Sequence, residues 1–266
     1  MSAYYQLIDK HIDAQGVVSA TYRSTIHAQG AWNEDEQHMA PASGIIAAEL
    51  AQFQPRDDVR IGRISYDIFG LIAAGEFSIT TRVLRPGKTI ELLESDMQAK
   101  GRTCIVARAW RMCVQDSSAV AGLEDQAIAQ PDALPEWHGM SRWPGGFIQS
   151  IEARVAENYR AGKGIVWLNN SKDMIENQPT SDFVHLMGMV DTANGIVPRQ
   201  GDDFAWAFPN LDLHIHLHRL PSGRWLGIQA VQQFGSDGIG LTSAVLHDAQ
   251  GPFGRSEQIL TLRKIR

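Results

Sequence analysis

The segment IGRISYDIF at residues 61–69 opens a block that is rich in Ile, Val, Thr and aromatic side chains. Residues of these types favour strands, and turn-like sequences such as AAG and RPGK divide the block. Because the separations are short, they indicate antiparallel hairpins rather than parallel strands joined by crossover helices. We therefore predict four antiparallel strands, at residues 61–69, 76–84, 89–97 and 103–114.

A short buried helix is predicted immediately before this block. Residues 45–51 read IIAAELA, a composition that favours helix, and a Gln-Pro pair at 54–55 ends the segment. Ser43 and Gly44 precede it, so we expect them at the helix start. The first backbone N–H groups of a helix have no partner within the helix and can bind a ligand.

The same order of elements recurs in the second half of the chain. A helix is predicted over residues 181–196, followed by strands at 211–217, 224–234, 238–247 and 253–262. A helix followed by four antiparallel strands, repeated at an offset of about 150 residues, indicates a duplicated domain. The Pro-containing, Ser- and Ala-rich stretch between the halves is typical of a connector. We predict two domains, residues 1–116 and 147–266, joined by residues 117–146.

Composition limits the classes of function. Hydrophobic residues make up 44% and charged residues 20% of the 266 residues, which is typical of a globular protein. The net charge of −6 disfavours a nucleic-acid partner, and no apolar run is long enough for a membrane span. The first residues lack an export signal pattern, and the two cysteines lack paired spacing. We predict a cytoplasmic protein without a membrane span.

Several motifs carry a family resemblance. Five segments resemble the thioesterase-like superfamily, especially the type II acyl-CoA thioesterases. They are RISYDIF at 63–69, VLRPGK at 83–88, ARAWR at 107–111, LDLHIHLHR at 211–219 and SEQILTLR at 256–263. The resemblance implies an α+β double hot-dog fold, in which two tandem units each wrap an antiparallel β-sheet around a central helix. It also implies an acyl-CoA or related thioester substrate, hydrolysis without a cofactor, and a homo-oligomer.

The resemblance also implies the site residues. In this family an Asp on the central helix, a Thr or Ser on the next strand and a Gln on the last strand hold the hydrolytic water. Matching by motif assigns these positions to Asp191, Asn210 and Gln258, so Asn210 replaces the usual hydroxyl. Ser43 and Gly44, which stand where the family has Gly-Gly, are the expected substrate-binding residues.

The chemistry of these residue types agrees with hydrolysis. Asp191 follows the apolar run MGMV, and burial of a carboxylate raises its basicity, as a general base requires. The amides of Gln258 and Asn210 can orient water or polarise a thioester oxygen. Matching Gly44 with Gly188 puts Ala47 at the position of Asp191, so we expect chemistry only in the C-terminal half.

Three alternatives stay open at this stage. The first is a metal site on one strand face, formed by the alternating residues Asp212, His214, His216 and His218. This row extends over more than about 12 Å, so the four side chains cannot all bind one ion, and we predict no metal site. Asn210 in place of a hydroxyl favours a non-catalytic acyl-CoA-binding protein. A hot-dog enoyl-thioester hydratase would need an Asp–His pair, and His185 lies nearly opposite Asp191 on an ideal helix.

Overall fold

Each half of the chain contains two or three strands, a central helical segment and then four long antiparallel strands, and the C-terminal half adds a short helix and two two-residue strands. The computed structural model describes residues 3–31, 33–200 and 205–265. The N-terminal half contains β1 (Ala3–Ile12), β2 (Val18–Ser24), α1 (Met39–Gln52), β3 (Val59–Ile68), β4 (Glu76–Arg85), β5 (Ile90–Ala99) and β6 (Arg102–Cys113). The four antiparallel strands predicted for this half are therefore present, each within about two residues of its expected bounds.

The C-terminal half repeats this order with a shorter and interrupted helix. Its strands and helices are α2 (Gly146–Gln149), β7 (Ile151–Val155), β8 (Lys163–Asn170), β9 (Asp173–Ile175), α3 (Asp182–Met187), α4 (Ala193–Ile196), β10 (Trp206–Ala207), β11 (Asp212–Leu217), β12 (Leu226–Phe234), β13 (Ile239–Asp248), β14 (Gly251–Thr261) and β15 (Arg263–Lys264). The prediction of one continuous helix over residues 181–196 is wrong, because a 3₁₀ turn at Val190–Thr192 separates α3 from α4.

The sheets of the two halves join into one. Within the described residues, thirteen strands follow the order β7-β8-β12-β13-β14-β11-β3-β6-β5-β4-β2-β1-β9. The junction is the antiparallel pair β3–β11, in which Ile64 lies opposite Ile215. At the far end β1 pairs in parallel with β9 of the other half, through Tyr5 and Ile175. The halves therefore share one hydrogen-bonded framework and one hydrophobic core.

Residues between β6 and β7, the predicted connector, contact the C-terminal half. They form 3₁₀ turns at Ser118–Val120, Pro131–Ala133 and Gly139–Arg142. The indole Nε1 of buried Trp167 donates a hydrogen bond to the carbonyl of Ala129 at 2.8 Å. This part of the connector is therefore packed against the sheet. The proposed division at residues 117 and 146 stays a prediction.

Helix α1 is buried along most of its length because its residues are small and apolar on every side. It crosses α3 at Gly44, where a Cβ atom would lie only 2.7 Å from the Cα atom of Gly188. Ser43 strengthens the crossing, since its hydroxyl donates to the carbonyls of Ala40 at 2.7 Å and Met187 at 3.0 Å. The two central helices are thus in backbone contact at the glycines that the sequence comparison aligned.

We expect Gly44→Ala to lower the free energy of unfolding by about 1–3 kcal/mol, because the new methyl group must push the two helix backbones apart. Urea unfolding measures this loss. Gly122→Ala is the matched control, since no atom lies within 4 Å of its Cβ position, and its effect should stay within about 0.5 kcal/mol. Equal stability of the two variants would contradict the close helix contact.

Candidate active site

The three predicted catalytic residues lie together at one carboxylate. Asp191 is on the 3₁₀ turn between α3 and α4 and is only 6% exposed. Its Oδ1 atom accepts hydrogen bonds from Asn210 Nδ2 at 2.8 Å and from Gln258 Nε2 at 2.9 Å. Gln258 Nε2 also lies 3.2 Å from the Asp191 carbonyl oxygen. The fold thus brings together residues that are 67 positions apart in the chain.

The sheet determines where the two amides point. Gln258 is on β14 opposite Thr242 of β13, and its side chain is fully buried on the helix-facing side of the sheet. Asn210 lies two residues before the start of β11 and forms an isolated bridge to Leu260, two residues beyond Gln258. Its Nδ2 also donates to the Asp212 carbonyl at 2.9 Å, which holds the amide toward Asp191.

The surroundings of Asp191 make its carboxylate more basic. Burial raises the pKa of Asp191 to about 6, and the hydrogen bonds from Asn210 and Gln258 limit that rise. The carboxylate is therefore ionised at neutral pH and still able to accept a proton. Its Oδ2 atom receives no hydrogen bond from any residue in the described part of the chain.

His38, which the sequence analysis did not identify, approaches this free oxygen from the N-terminal half. Its Nδ1 atom lies 3.9 Å from Asp191 Oδ2 and accepts a hydrogen bond from the Ala40 backbone N–H at 3.0 Å. Burial lowers the pKa of His38 to about 4, so its ring is neutral at pH 7. The contact between His38 and Asp191 is therefore not an ion pair.

A cavity of about 630 Å³ opens onto this group of residues. Both halves line it, through His38 from the N-terminal half and Asp191 and Asn210 from the C-terminal half, whereas Gln258 is not part of the lining. Most of the other lining side chains are apolar. Phe69 and Leu211, both part of the lining, are 63% and 48% exposed, so apolar surface is available to a ligand there.

Ser43 and Gly44 do not line this cavity, and the predicted helix start is wrong. Helix α1 begins at Met39, so Ser43 and Gly44 lie in its second turn and pack against α3 instead of presenting free N–H groups. The residues at the helix start are His38 and Met39, and both line the cavity. A polar residue followed by Pro41 in the first turn was the available signal for this start.

Glu49, the nearest carboxylate to Ala47 on α1, is remote from this cavity. It is buried and binds Lys10 Nζ at 2.9 Å and the Tyr22 hydroxyl. His185, considered above as a partner for Asp191, instead contacts the Arg224 carbonyl through Nε2 at 3.0 Å.

Two members of the histidine row contact groups within β11 or at the start of β14. His214 Nε2 lies 3.5 Å from Asp212 Oδ2, and His218 Nε2 donates to the Pro252 carbonyl at 3.1 Å. Among residues 3–31, 33–200 and 205–265, no group of three or more His, Cys, Asp or Glu side chains is placed to hold a metal ion. No helix in these ranges has the length and apolar character needed to cross a membrane.

Models of known protein families match both halves of the chain. The acyl-CoA thioesterase N-terminal domain matches residues 28–112, and the acyl-CoA thioesterase C-terminal domain matches residues 129–262. The chain belongs to the acyl-CoA thioesterase family. The predicted family and its enzyme class, thioester hydrolase, are therefore confirmed. A search of curated proteins finds no match.

Solved structures with the same fold cover almost the whole chain. A hot-dog-fold protein of unknown function from Alicyclobacillus acidocaldarius has a TM-score of 0.74 at 11% identity, covering 97% of both chains. The acyl-CoA thioesterase II TesB2 from Mycobacterium marinum has a TM-score of 0.67 at 14% identity, covering 97% of this chain and 95% of its own. These likenesses confirm the predicted α+β double hot-dog fold.

One further structural neighbour has a different activity. The dehydratase domain of PpsC from Mycobacterium tuberculosis, solved in complex with C12:1-CoA, has a TM-score of 0.54 at 14% identity. The match covers 98% of this chain and 100% of that domain. At this identity the likeness extends to the fold alone, so the choice between reactions depends on the side chains of the site.

Proposed function

We propose that this protein hydrolyses an acyl thioester, with acyl-CoA as the expected substrate, using a water molecule activated by Asp191. The observation that carries the proposal is the asymmetry of the Asp191 carboxylate. Two amides bind Oδ1, whereas Oδ2 has no hydrogen-bond donor among the described residues and Asp191 lines the cavity. A buried carboxylate with a pKa of about 6 and one free oxygen has the properties of a general base.

The reaction needs no covalent intermediate. Asp191 Oδ2 takes a proton from water while the water oxygen adds to the thioester carbonyl carbon. The tetrahedral intermediate then breaks its C–S bond, and the departing sulfur receives the proton, which leaves a free acid and a thiol. The hydroxyl nearest to Asp191 in sequence, that of Thr192, donates to the Met189 carbonyl at 2.6 Å and is not positioned by a base.

In this proposal Asn210 and Gln258 are positioning residues. Their N–H groups bind Asp191 Oδ1, so they orient the carboxylate and support its ionised form instead of polarising the thioester directly. An Asn can donate this hydrogen bond as a Thr or Ser hydroxyl can. The substitution at position 210 is therefore compatible with turnover.

Thiol release from acyl-CoA esters of different chain lengths, followed with a thiol-reactive dye, tests the proposed function. The apolar lining and the volume of about 630 Å³ favour a medium-sized apolar acyl group, so we expect turnover to rise from acetyl-CoA to longer chains. Calorimetric binding of these esters without thiol release would instead support the alternative of a non-catalytic acyl-CoA-binding protein.

The role of Gln258 can be tested through the pH profile. Gln258→Met removes one hydrogen bond to the ionised carboxylate, and such bonds contribute about 1.5–3 kcal/mol. Since 1.36 kcal/mol corresponds to one pKa unit, the acid limb of kcat/KM should move upward by about one to two units from its wild-type position near pH 6. Ser256→Ala, on the same strand face with a buried and unbonded hydroxyl, is the control and should leave the limb unchanged.

A second candidate is hydration of an enoyl thioester, and the proximity of His38 to Asp191 favours it. These two side chains come from different halves and line one cavity, so an Asp–His pair does exist here, although not with His185. Hydration would consume the absorbance of a conjugated enoyl thioester without releasing thiol. Loss of absorbance with no thiol release would favour the hydratase over the hydrolase.

The homo-oligomer and the cytoplasmic location also stay proposals. The mass of one chain is 29.4 kDa, so size-exclusion chromatography with light scattering distinguishes a monomer from an assembly. A species of about 29 kDa at micromolar concentration would contradict the proposed homo-oligomer.

A further inference from the structure

The imidazole of His38 has a defined tautomer. His38 caps the N-terminus of α1, and its Nδ1 atom accepts the Ala40 N–H at 3.0 Å. Because Nδ1 uses its lone pair in this bond, the ring proton lies on Nε2. The ring also packs against Phe147, with centroids 4.5 Å apart, so the direction of Nε2–H is restricted by two contacts on the protein side.

This Nε2–H group has no protein acceptor in the described ranges. The side chain of His38 is 17% exposed and lines the same cavity as Asp191 and Asn210. The ring atom 3.9 Å from Asp191 Oδ2 is Nδ1, so Nε2 lies on the other side of the imidazole. A neutral N–H donor on a mostly buried ring that lines the cavity and has no protein acceptor is available to bind an oxygen of a ligand. Burial also lowers the pKa of His38 to about 4, so the donor stays neutral wherever Asp191 is ionised.

We propose that His38 is a catalytic residue contributed by the N-terminal half, and that its Nε2–H binds the thioester carbonyl oxygen. The inference rests on the proposed hydrolysis at Asp191. When water adds to the carbonyl carbon, the C=O electron pair moves to this oxygen, and the hydrogen bond from Nε2 stabilises the resulting oxyanion. His38 keeps its proton throughout, and the proton taken from water goes to Asp191 and then to the departing sulfur.

In the proposed hydrolysis, His38 takes neither of the other catalytic roles of a histidine, those of base and acid. It cannot be the base for water, because its Nδ1 lone pair already accepts the Ala40 N–H and Nε2 carries the proton. His38 is not needed to protonate the leaving group either, since the proton that Asp191 takes from water goes to the departing sulfur. The active site therefore combines a base from one half with an oxyanion donor from the other, contrary to the expectation that chemistry lies only in the C-terminal half.

Two substitutions separate the capping role of His38 from the proposed catalytic role. In His38→Asn, the Asn Oδ1 can replace Nδ1 as the helix cap, but no donor remains at the Nε2 position. In His38→Gln, the Gln Nε2 can replace the imidazole Nε2 as a donor, but the cap is lost. We expect His38→Asn to keep the wild-type melting temperature and KM while kcat falls about 10²–10³-fold.

His38→Gln should show the opposite pattern, with a melting temperature lower by a few degrees and kcat within about tenfold of wild type. His27→Asn, a partly exposed histidine on the same half that does not line the cavity, is the control and should match wild type. Wild-type kcat in His38→Asn would overturn the proposal, and so would a kcat for His38→Gln no higher than that of His38→Asn.

A binding measurement tests His38 independently of turnover. A carba analogue of acyl-CoA, in which CH₂ replaces the thioester sulfur, keeps the carbonyl, whereas an S-alkyl-CoA thioether lacks it. We expect His38→Asn to weaken binding of the carba analogue about tenfold and to leave binding of the thioether unchanged. Equal effects on the two would overturn the carbonyl contact.

The same pair of ligands distinguishes the two proposals. If wild type releases no thiol but the difference between the analogues is present, hydrolysis at Asp191 fails and the His38 contact stands. If wild type hydrolyses thioesters and the difference is absent, hydrolysis stands and the role of His38 fails.

Discussion

Replacing Asp191 with Asn is expected to lower kcat for thioester hydrolysis by about 10²–10⁴-fold, the range of a positioned general base. Asn cannot accept a proton from water, yet it keeps the shape of the side chain and an oxygen for Asn210 and Gln258 to bind. The Kd of a non-hydrolysable acyl-CoA analogue should therefore change little. Single-turnover kinetics together with calorimetry separates the loss of chemistry from a loss of binding.

The same variant should be more stable than wild type above pH 6. The pKa of Asp191 is raised from 3.8 to about 6 in the folded state, so its ionisation there opposes folding. The stability associated with the protonated group is complete below pH 3.8 and is lost as pH rises through 6. Asp191→Asn avoids this loss, and we expect up to about 3 kcal/mol of added stability at pH 7.5 and almost none at pH 3.5.

Urea unfolding at these two pH values measures the effect on stability. Asp67→Asn, which changes an exposed carboxylate on β3, is the control and should leave both activity and stability near wild type. Wild-type turnover in Asp191→Asn would refute the assignment of the base. A wild-type kcat/KM that stays constant from pH 7.5 down to pH 5 would also contradict it.

The second large effect is a loss of stability, expected when Arg111 is replaced. Arg111 is a buried residue that links the sheet to the end of the central helix. Its Nε atom donates to Glu91 Oε2 at 2.9 Å, and its Nη1 atom donates to the carbonyls of Phe53 at 2.7 Å and Gln54 at 3.0 Å, just beyond α1. Arg111→Met would leave the Glu91 carboxylate buried without a partner. We expect a loss of about 3–5 kcal/mol in the free energy of unfolding.

Two further variants distinguish an unpaired charge from a general packing defect. In the double variant Glu91→Met with Arg111→Met, no buried charge remains, so much of the lost stability should return. Arg108→Met, on the same strand, is the milder control, because Arg82 still pairs with the Glu94 that Arg108 contacts. A single Arg111→Met variant as stable as Arg108→Met would contradict the importance of this buried pair.

Local sequence patterns were sufficient for most of the sheet. Strands β3 to β6 and β11 to β14 correspond to the eight segments predicted from strand-favouring residues and from the turn-like sequences between them. Such patterns depend on short-range preferences that the tertiary structure did not override. The central α1 was also predicted, although its first residue was misplaced, since Ser43 and Gly44 belong to its second turn. Helix boundaries are the least reliable part of such predictions because the terminal residues are capped by contacts, not by periodicity.

The residues of the site also divide into those that the sequence predicted and one that it did not. Asp191, Asn210 and Gln258 were found because motifs on their own elements matched a family pattern, and the structure brings them into hydrogen-bond contact. His38 does not belong to any of the motifs that resemble the family. Its importance depends on a distance of 3.9 Å between groups that are separated by 153 positions in the chain, and no local pattern encodes that distance.

The sequence by itself determined the class of fold, the duplication, the family and the three residues that meet at the Asp191 carboxylate. These follow from strand and helix preferences and from motifs that each lie within a single element. Only the tertiary structure decided that β3 pairs with β11, that Gly44 contacts Gly188, and that His38 lies beside Asp191 at one cavity. The physical reason is that the two halves pair by burying apolar side chains of the shared sheet and of the two central helices against each other. This burial depends on residues that are far apart in the chain.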